Sequence, residues 1–589
     1  MKRFQIVILF VFVLLSPINA QDAKVTSFPT KDFNNEVNPI ASEDAEVGGR
    51  IVIFGHQYPK SFNYYTDQNS FSAALFGKLF ESLLSTHPIT LETIPGIVNK
   101  WTVSEDKTTY TLNIDPKAKW SDGKAITSED VVFTYDIVMK SMTGPWKSDF
   151  SKISRPEIIN EKTFKIIAQE VHWKTEGIIS NIIVLPKHNM EGKELEKLNF
   201  EFPVVSGPYK LKEVKEDNFA ELERRSDWWA RDYKCNQGIY NFQFVKYRFF
   251  SEESNGFASF QKGEIDLYAV YMAKRWIEMA TGEKYDKNLI CKQKIYNFEP
   301  LSWQGFAMNM RRPLFQDKRV RQALAHLLNR DRFNDELMFK QYEMTNSYFT
   351  DLYSKERPMK NRIVDFNIEK AKKLLDEAGW KPNKNGILEK DGLVFEFSFL
   401  TNDGTSNKFL DIYGDDLKNV GIKLKIVQKD RASWTRDMDN FSYDMTWAAW
   451  GSALFKDPES QWHSKEAINV SGFNYPGFKS EVVDQLIEKQ KTEFNVEKRN
   501  DILREIDAIL TEEQPYILLW HNNYTRLLYW NKFGTPDTVL SKFGDERDAV
   551  NLWWYDKDAN KALEDASKSE KNLPKKDASV IFEEKFKGK

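Results

Sequence analysis

Cysteine is nearly absent. The 589 residues contain two, Cys235 and Cys291, which excludes a disulfide scaffold. Spacing alone leaves open whether these two are bonded to each other. Histidine is sparse as well: the seven residues at 56, 87, 172, 188, 326, 463 and 521 show no metal-ligand spacing. No metal or cofactor site is therefore expected, and His326, on a helix face, reads as packed or solvated. There is no G-x-S-x-G elbow, no H-E-x-x-H helix and no Walker loop, so a secreted hydrolase lacks recognisable machinery. No long basic block lies outside the C-terminal tail and the formal net charge is −3, which argues against a nucleic-acid partner. Beyond the N-terminus no apolar run could span a bilayer.

What is present is a long chain with many aromatic residues. One core does not serve 589 residues, so two or three domains are expected. Hydrophobic residues at 41% and charged residues at 29% fit a soluble globular protein. Aromatics reach 14%, with 17 Trp, favouring a chain that binds through aromatic surfaces. Lys2-Arg3, the apolar run Ile6–Leu15 and Ser16-Pro17-Ile18-Asn19-Ala20 form a three-part secretory signal, with cleavage expected after Ala20. Residue 21 is Gln, so no lipid-attachment cysteine follows. A soluble periplasmic protein is expected.

Along the chain, residues 21–48 read as an extended lead-in. Arg50–Phe54 reads as a strand, and 71–84 as a helix with Leu75, Leu79 and Leu83 inward. Residues 101–114 form a hairpin. Thr127 and Asp130 stand in capping-box position before a helix. Gly263 stops another helix ahead of the strand Ile265–Tyr268. Val320, Ala323, Leu324, Leu327 and Leu328 make one apolar helix face. The strand Phe395–Phe399, a helix over 408–420 and the strand Ile422–Ile426 imply a parallel pair and an α/β lobe. Residues 481–510 read as helical and 515–520 as a strand. After Tyr555 the composition predicts a polar, poorly ordered tail.

The chain is organised around Phe441–Trp462, FSYDMTWAAWGSALFKDPESQW. Tyr443, Met445, Trp447 and Ala449 point one way; Asp444, Thr446, Ala448 and Trp450 point the other. Aromatics on both faces predict that both are covered. The strand runs into Gly451-Ser452 and a loop with Asp457, where binding groups belong. Aromatic walls with a few carboxylates suit a ligand that is part apolar and part cationic.

Six motifs then fall in one order: WSDGKAITSEDVVFTYD (120–136), SGPYKL with RRSDWWARD (206–232), FQKGEIDLY (260–268), NMRRPLFQDKRVRQALAHLLNR (309–330), EAGW (377–380) and YDMTWAAW (443–450). Over about residues 49–555 the chain resembles the family 5 extracellular solute-binding proteins, receptors of ABC importers. The long fourth motif and TNSYF at Thr345–Phe349 look most like the Yej-type oligopeptide and microcin C branch. The resemblance implies an α/β type II periplasmic-binding fold of two hinged lobes and a small extra domain. Lobe I would take 49–86, 205–300 and 525–556, the extra domain 87–204 and the opposing lobe 301–524, with a tail at 557–589. It implies a monomer that traps an oligopeptide, releases it unaltered and delivers it to an inner-membrane permease. A non-peptide solute (oligosaccharide, metal chelate or haem) is the alternative within the fold, and chaperone-like handling of unfolded chains is a further one.

The resemblance places the ligand strand and loop on Tyr443–Asp457 and a ligand-contacting tryptophan at or near Trp434. Trp434, Trp447, Trp450 and Gly451 are thus candidate wall residues. Peptide-binding relatives carry an aspartate three residues after the Trp450-like tryptophan, paired with the peptide's α-ammonium. Here that position is Ala453. Either Asp457 takes the role from a longer loop or the ligand's N-terminus is unanchored. Asp67, after the first strand, is a second candidate.

Overall fold

A computed structural model describes residues 25–141 and 145–587. The signal segment at 1–20 lies outside the described residues. Among them, three sheets of five or more strands carry the architecture. The largest has eight strands in the order Ser579–Ile581, Ile290–Tyr296, Thr525–Trp530, Leu267–Ala269, Gly48–Phe54, Phe242–Arg248, Phe219–Arg224, Tyr209–Lys215. Its centre is parallel, with Gly48–Phe54 between Phe242–Arg248 and Leu267–Ala269. The continuous apolar run Ile51–Phe54 buries Ile51 completely, as a central parallel strand covered on both faces requires.

A five-stranded antiparallel sheet joins Val25–Phe28, Val98–Ser104, Thr109–Ile114, Thr163–Ile167 and Glu157–Asn160. The hairpin read over 101–114 is its middle. The helix Ser128–Lys140 packs on it, opened by the Thr127–Asp130 capping box, in which Asp130 Oδ2 accepts the Thr127 N–H at 2.9 Å. This layer shares one core with the eight-stranded sheet: Trp101, Leu112 and Val131 belong to the same cluster as Ile51, Leu222 and Tyr529. Together they make the first lobe.

The third sheet orders Lys423–Gln428, Glu396–Thr401, Met445–Trp450, Trp303–Met308 and Tyr516–Leu518. The strand–helix–strand unit read from 395–426 is parallel, Glu396–Thr401 to Lys423–Gln428. This sheet carries separate cores, one around Phe306 and Leu324 and one around Trp303 and Leu503, and forms the second lobe. The chain crosses between lobes twice, from Ile290–Tyr296 to Trp303–Met308 and back from Tyr516–Leu518 to Thr525–Trp530. Two short crossings between separately packed bodies are the physical basis of a hinge.

Several expectations need correction. The helix over 71–84 ends at Leu79, because the Leu79 carbonyl accepts the Ser206 and Gly207 amides at 3.1 and 2.8 Å. That approach requires Gly207, where a Cβ would lie 2.4 Å from the Lys78 carbonyl oxygen. The single helix over 481–510 is two, Glu481–Lys491 and Val496–Glu513, restarted by Asn495, whose side chain accepts the Lys498 N–H. The polar tail folds. Lys557–Ser567 is a helix, and Ser579–Ile581 adds a parallel strand beside Ile290–Tyr296. Leu563, Val580 and Phe582 are buried there; three well-placed apolar residues dock what the average composition reads as solvated. Cys235 and Cys291 are both free thiols, and burial pushes each up to about 11. No helix among the described residues is long and apolar enough to cross a membrane.

Candidate functional site

The two crossings floor a cavity of about 420 Å³ walled by both lobes. Tyr271, Glu299, Arg526 and Glu546 come from the first lobe and its crossings; Trp303, Gln304, Ala449 and Trp520 come from the second. A second space of about 230 Å³ shares Ala269, Tyr271, Asp545 and Glu546 and extends it past His56 and Phe71. A larger cavity of about 480 Å³ lies wholly within the first lobe, between Phe33–Ile40 and Trp228-Trp229. The interlobe cavity is the candidate site, because hinge closure can enclose a ligand only between the lobes.

The strand Met445–Trp450 divides by its alternation. Ala449 is exposed and lines the cavity. Trp447, on the same face, stands one layer behind: its indole Nε1–H donates to Gln304 Oε1 at 3.0 Å, and its ring meets Phe306, Phe409 and Trp520 at 5.3, 5.6 and 5.7 Å. Gln304 and Trp520 are the cavity wall that Trp447 supports. Trp450 points to the opposite face, half-buried against Trp303, Phe473 and Tyr475 at 6.1, 5.8 and 4.9 Å. It reaches the cavity only through Trp303, its direct partner in the ladder. Gly451 is exposed, and a Cβ there would meet nothing within 4 Å.

The other three predicted residues stand apart. Trp434, on the helix Arg431–Asp439, packs with Leu400, Met438 and Phe441. Asp67 Oδ2 accepts the Lys60 and Ser61 amides at 3.0 and 3.3 Å, pinning its own loop. Asp457 faces Lys174 of the first lobe at 3.7 Å and accepts the Glu459 N–H at 3.1 Å. Neither aspartate lines the interlobe cavity.

The cavity's charged groups come from segments the sequence reading did not single out. Burial, with Asp545 and Glu546 alongside, pushes the Glu299 carboxyl up to about 7. Burial and Asp545 also raise Glu546, whose Oε1 accepts the Tyr271 hydroxyl at 2.9 Å. Arg547 is the local counter-charge, paired with Asp545. Arg526, 2% exposed, donates to the Tyr271 carbonyl at 3.1 Å and lies over the Tyr342 and Tyr524 rings at 5.0 and 5.3 Å. Its partners are carbonyl, amide and hydroxyl oxygens rather than a carboxylate. Thr345 Oγ1 and His521 Nδ1 are 2.9 Å apart, but both residues are buried, and burial lowers the imidazole. The pair is packing, not an exposed nucleophile and base.

Two separately packed lobes, a two-strand hinge and a cavity walled by both define a hinged solute-binding protein of the type II periplasmic-binding fold. The chain belongs to the bacterial extracellular solute-binding proteins, family 5, whose model (its "Middle" region) matches residues 92–469. It resembles YejA of Escherichia coli K12, itself uncharacterised, at 26% identity over 615 residues, 96% of this chain and 99% of that one. It resembles equally the oligopeptide-binding protein AppA of Bacillus subtilis, 26% identical over 552 residues, 90% of this chain and 95% of that one. The structure of AppA with a nonapeptide superposes with a TM-score of 0.70 at 23% identity, covering 87% of this chain and 100% of that one. NikZ of Campylobacter jejuni, solved with Ni(L-His), gives 0.67 at 21%, covering 86% and 99%. The expected α/β fold, family and Yej-type likeness are borne out.

Proposed function

We propose that this chain is the periplasmic receptor of an ABC importer, which captures oligopeptides between its lobes and delivers them to an inner-membrane permease without chemical change. The observation that carries the reading is the interlobe cavity, walled by indole and phenol rings and lined by carboxylates in excess over the one buried guanidinium, Arg526. A peptide offers an ammonium for Glu299 and Glu546, and apolar side chains for the exposed Tyr271 ring and for Trp520. Backbone hydrogen bonding with hydrated side-chain pockets gives affinity without narrow sequence preference. The likeness to AppA supports the peptide, and the family supports a binder rather than an enzyme.

The receptor would act as a monomer without a cofactor, after export and removal of residues 1–20. Its lobes would divide as the sequence suggests, with 87–204 as an extra domain and 301–524 opposite. Trp447 and Trp450 would back the walls and Gly451 would leave room at the rim. The excess carboxylate also fits a cationic metal chelate, the kind of ligand seen in NikZ. Isothermal titration with mixed tri- to hexapeptides, chitooligosaccharides and nickel–histidine decides: heat with the peptide mix is expected, and none with any peptide pool would remove the peptide reading.

A further inference from the structure

The lobes also touch away from their crossings. His172–Lys174 of the first lobe reaches the second, where Trp173 makes four contacts. Its backbone N–H donates to the Lys491 carbonyl at 3.0 Å and its indole Nε1–H to Gln490 Oε1 at 3.1 Å. The Arg499 guanidinium lies 4.2 Å from its ring, and Phe455 6.4 Å. Lys174 Nζ stands 3.7 Å from Asp457. The receiving surface is preformed. Gln490 is fully buried and its amide is oriented by the Lys456 carbonyl at 3.0 Å. Arg499 is held by the Glu493 and Phe494 carbonyls, which leaves its face for the indole.

His172, Asp457 and Glu459 gather here with ligand atoms within 4.8 Å of one another. That trio does not suit a metal. His172 Nδ1 accepts the Lys174 N–H at 3.0 Å, so the neutral ring carries its hydrogen on Nε2 and keeps no free lone pair for a cation. Lysines already neutralise both acids: Lys174 on Asp457, and Lys465 and Lys491 on Glu459. The cluster is an interlobe polar contact, and none of these residues lines the ligand cavity.

Contacts off a hinge axis exist only while the lobes are together, so they bias the open–closed equilibrium. Apparent affinity scales with the population of the closed state. We infer that Trp173 is a closure latch: a positioning residue that sets how long a ligand is held without touching it. This rests on the receptor reading above and names how that site is regulated.

Trp173→Ala in the full chain tests it with the tri- to hexapeptide mix. Losing one hydrogen bond and one cation–π contact should speed dissociation about tenfold and weaken Kd equally, with association unchanged. Trp173→Phe, which keeps the stacking, should fall between. The ligand-free variant should melt with the wild type and show a larger radius of gyration by X-ray scattering. Wild-type dissociation and Kd in Trp173→Ala would overturn the latch. Should that variant not fold, hydrogen exchange of the wild type decides: peptide is expected to protect both 170–176 and 488–500, and unchanged exchange there overturns the proposal. If the wild type binds no peptide, the receptor reading falls, and the ligand-free scattering still decides the latch, equal radii overturning it.

Discussion

Trp447 donates its indole N–H to Gln304 Oε1 at 3.0 Å, across the pair of strands that forms the second lobe's wall of the cleft. The same Gln304 donates to the Trp520 carbonyl at 3.2 Å. One partly buried indole thus orients two groups that line the cleft. Trp447→Phe keeps most of the apolar packing and removes the donor. It should cost about 1 kcal/mol of stability and weaken peptide binding several-fold, read by thermal unfolding and titration calorimetry. Trp450→Phe, on the other face, should change binding less.

Glu299 makes the cleft sensitive to pH. Its carboxyl is raised from 4.5 to about 7 by burial and by Asp545 and Glu546. A raised carboxyl means that the folded chain holds the extra proton between those values, so the stability it contributes is present at low pH and lost as pH rises through about 7. Glu299→Gln should therefore gain stability relative to the wild type across that window, seen in paired melting curves. A bound ammonium favours the ionised carboxylate. Peptide binding near neutral pH should release protons, detected as a dependence of calorimetric heat on buffer ionisation enthalpy, and the variant should show less release.

The placement of the acids separates two accounts of the ligand's N-terminus. Asp457 is engaged by Lys174 at the latch, while Glu299 and Glu546 face the cavity. Glu299→Gln should reduce the preference for free over N-acetylated peptides; Asp457→Asn should leave that preference intact. Competition binding with matched acetylated and free peptides reads this directly, and the opposite pattern would return the anchor to the loop after Trp450.

Deleting residues 557–589 removes the helix and edge strand that bury Leu563, Val580 and Phe582. Each such side chain is worth about 1.5–3 kcal/mol when fully buried. The truncated chain should melt well below the full one, and loss of the strand beside Ile290–Tyr296 should raise hydrogen exchange there.

Both thiols should stay protonated in the folded chain at neutral pH. Burial disfavours the thiolate of Cys235 and Cys291. Reductant should leave the melting temperature unchanged, and alkylation of the denatured, unreduced chain should count two free thiols.

Much was legible where the physics is local. The capping box at Thr127 and Asp130, the glycine stop at Gly263 and the parallel pair around 395–426 each depend on residues within one or two elements, and the structure contains all three. The alternation of Met445–Trp450 also predicted two covered faces, but not which face meets the cleft. That depends on Trp303–Met308 and Tyr516–Leu518 pairing alongside it.

Sequence alone determined the elements, the alternating faces and the ordered motifs of a family, because these are written in spacing and composition. Tertiary structure decided the site: Tyr271, Glu299, Trp520 and Glu546 meet only after two crossings bring distant strands to one floor. It also decided the fate of Asp457. A carboxylate's partner is set by what folding places a few ångströms away, and for Asp457 that is Lys174, from the opposite lobe.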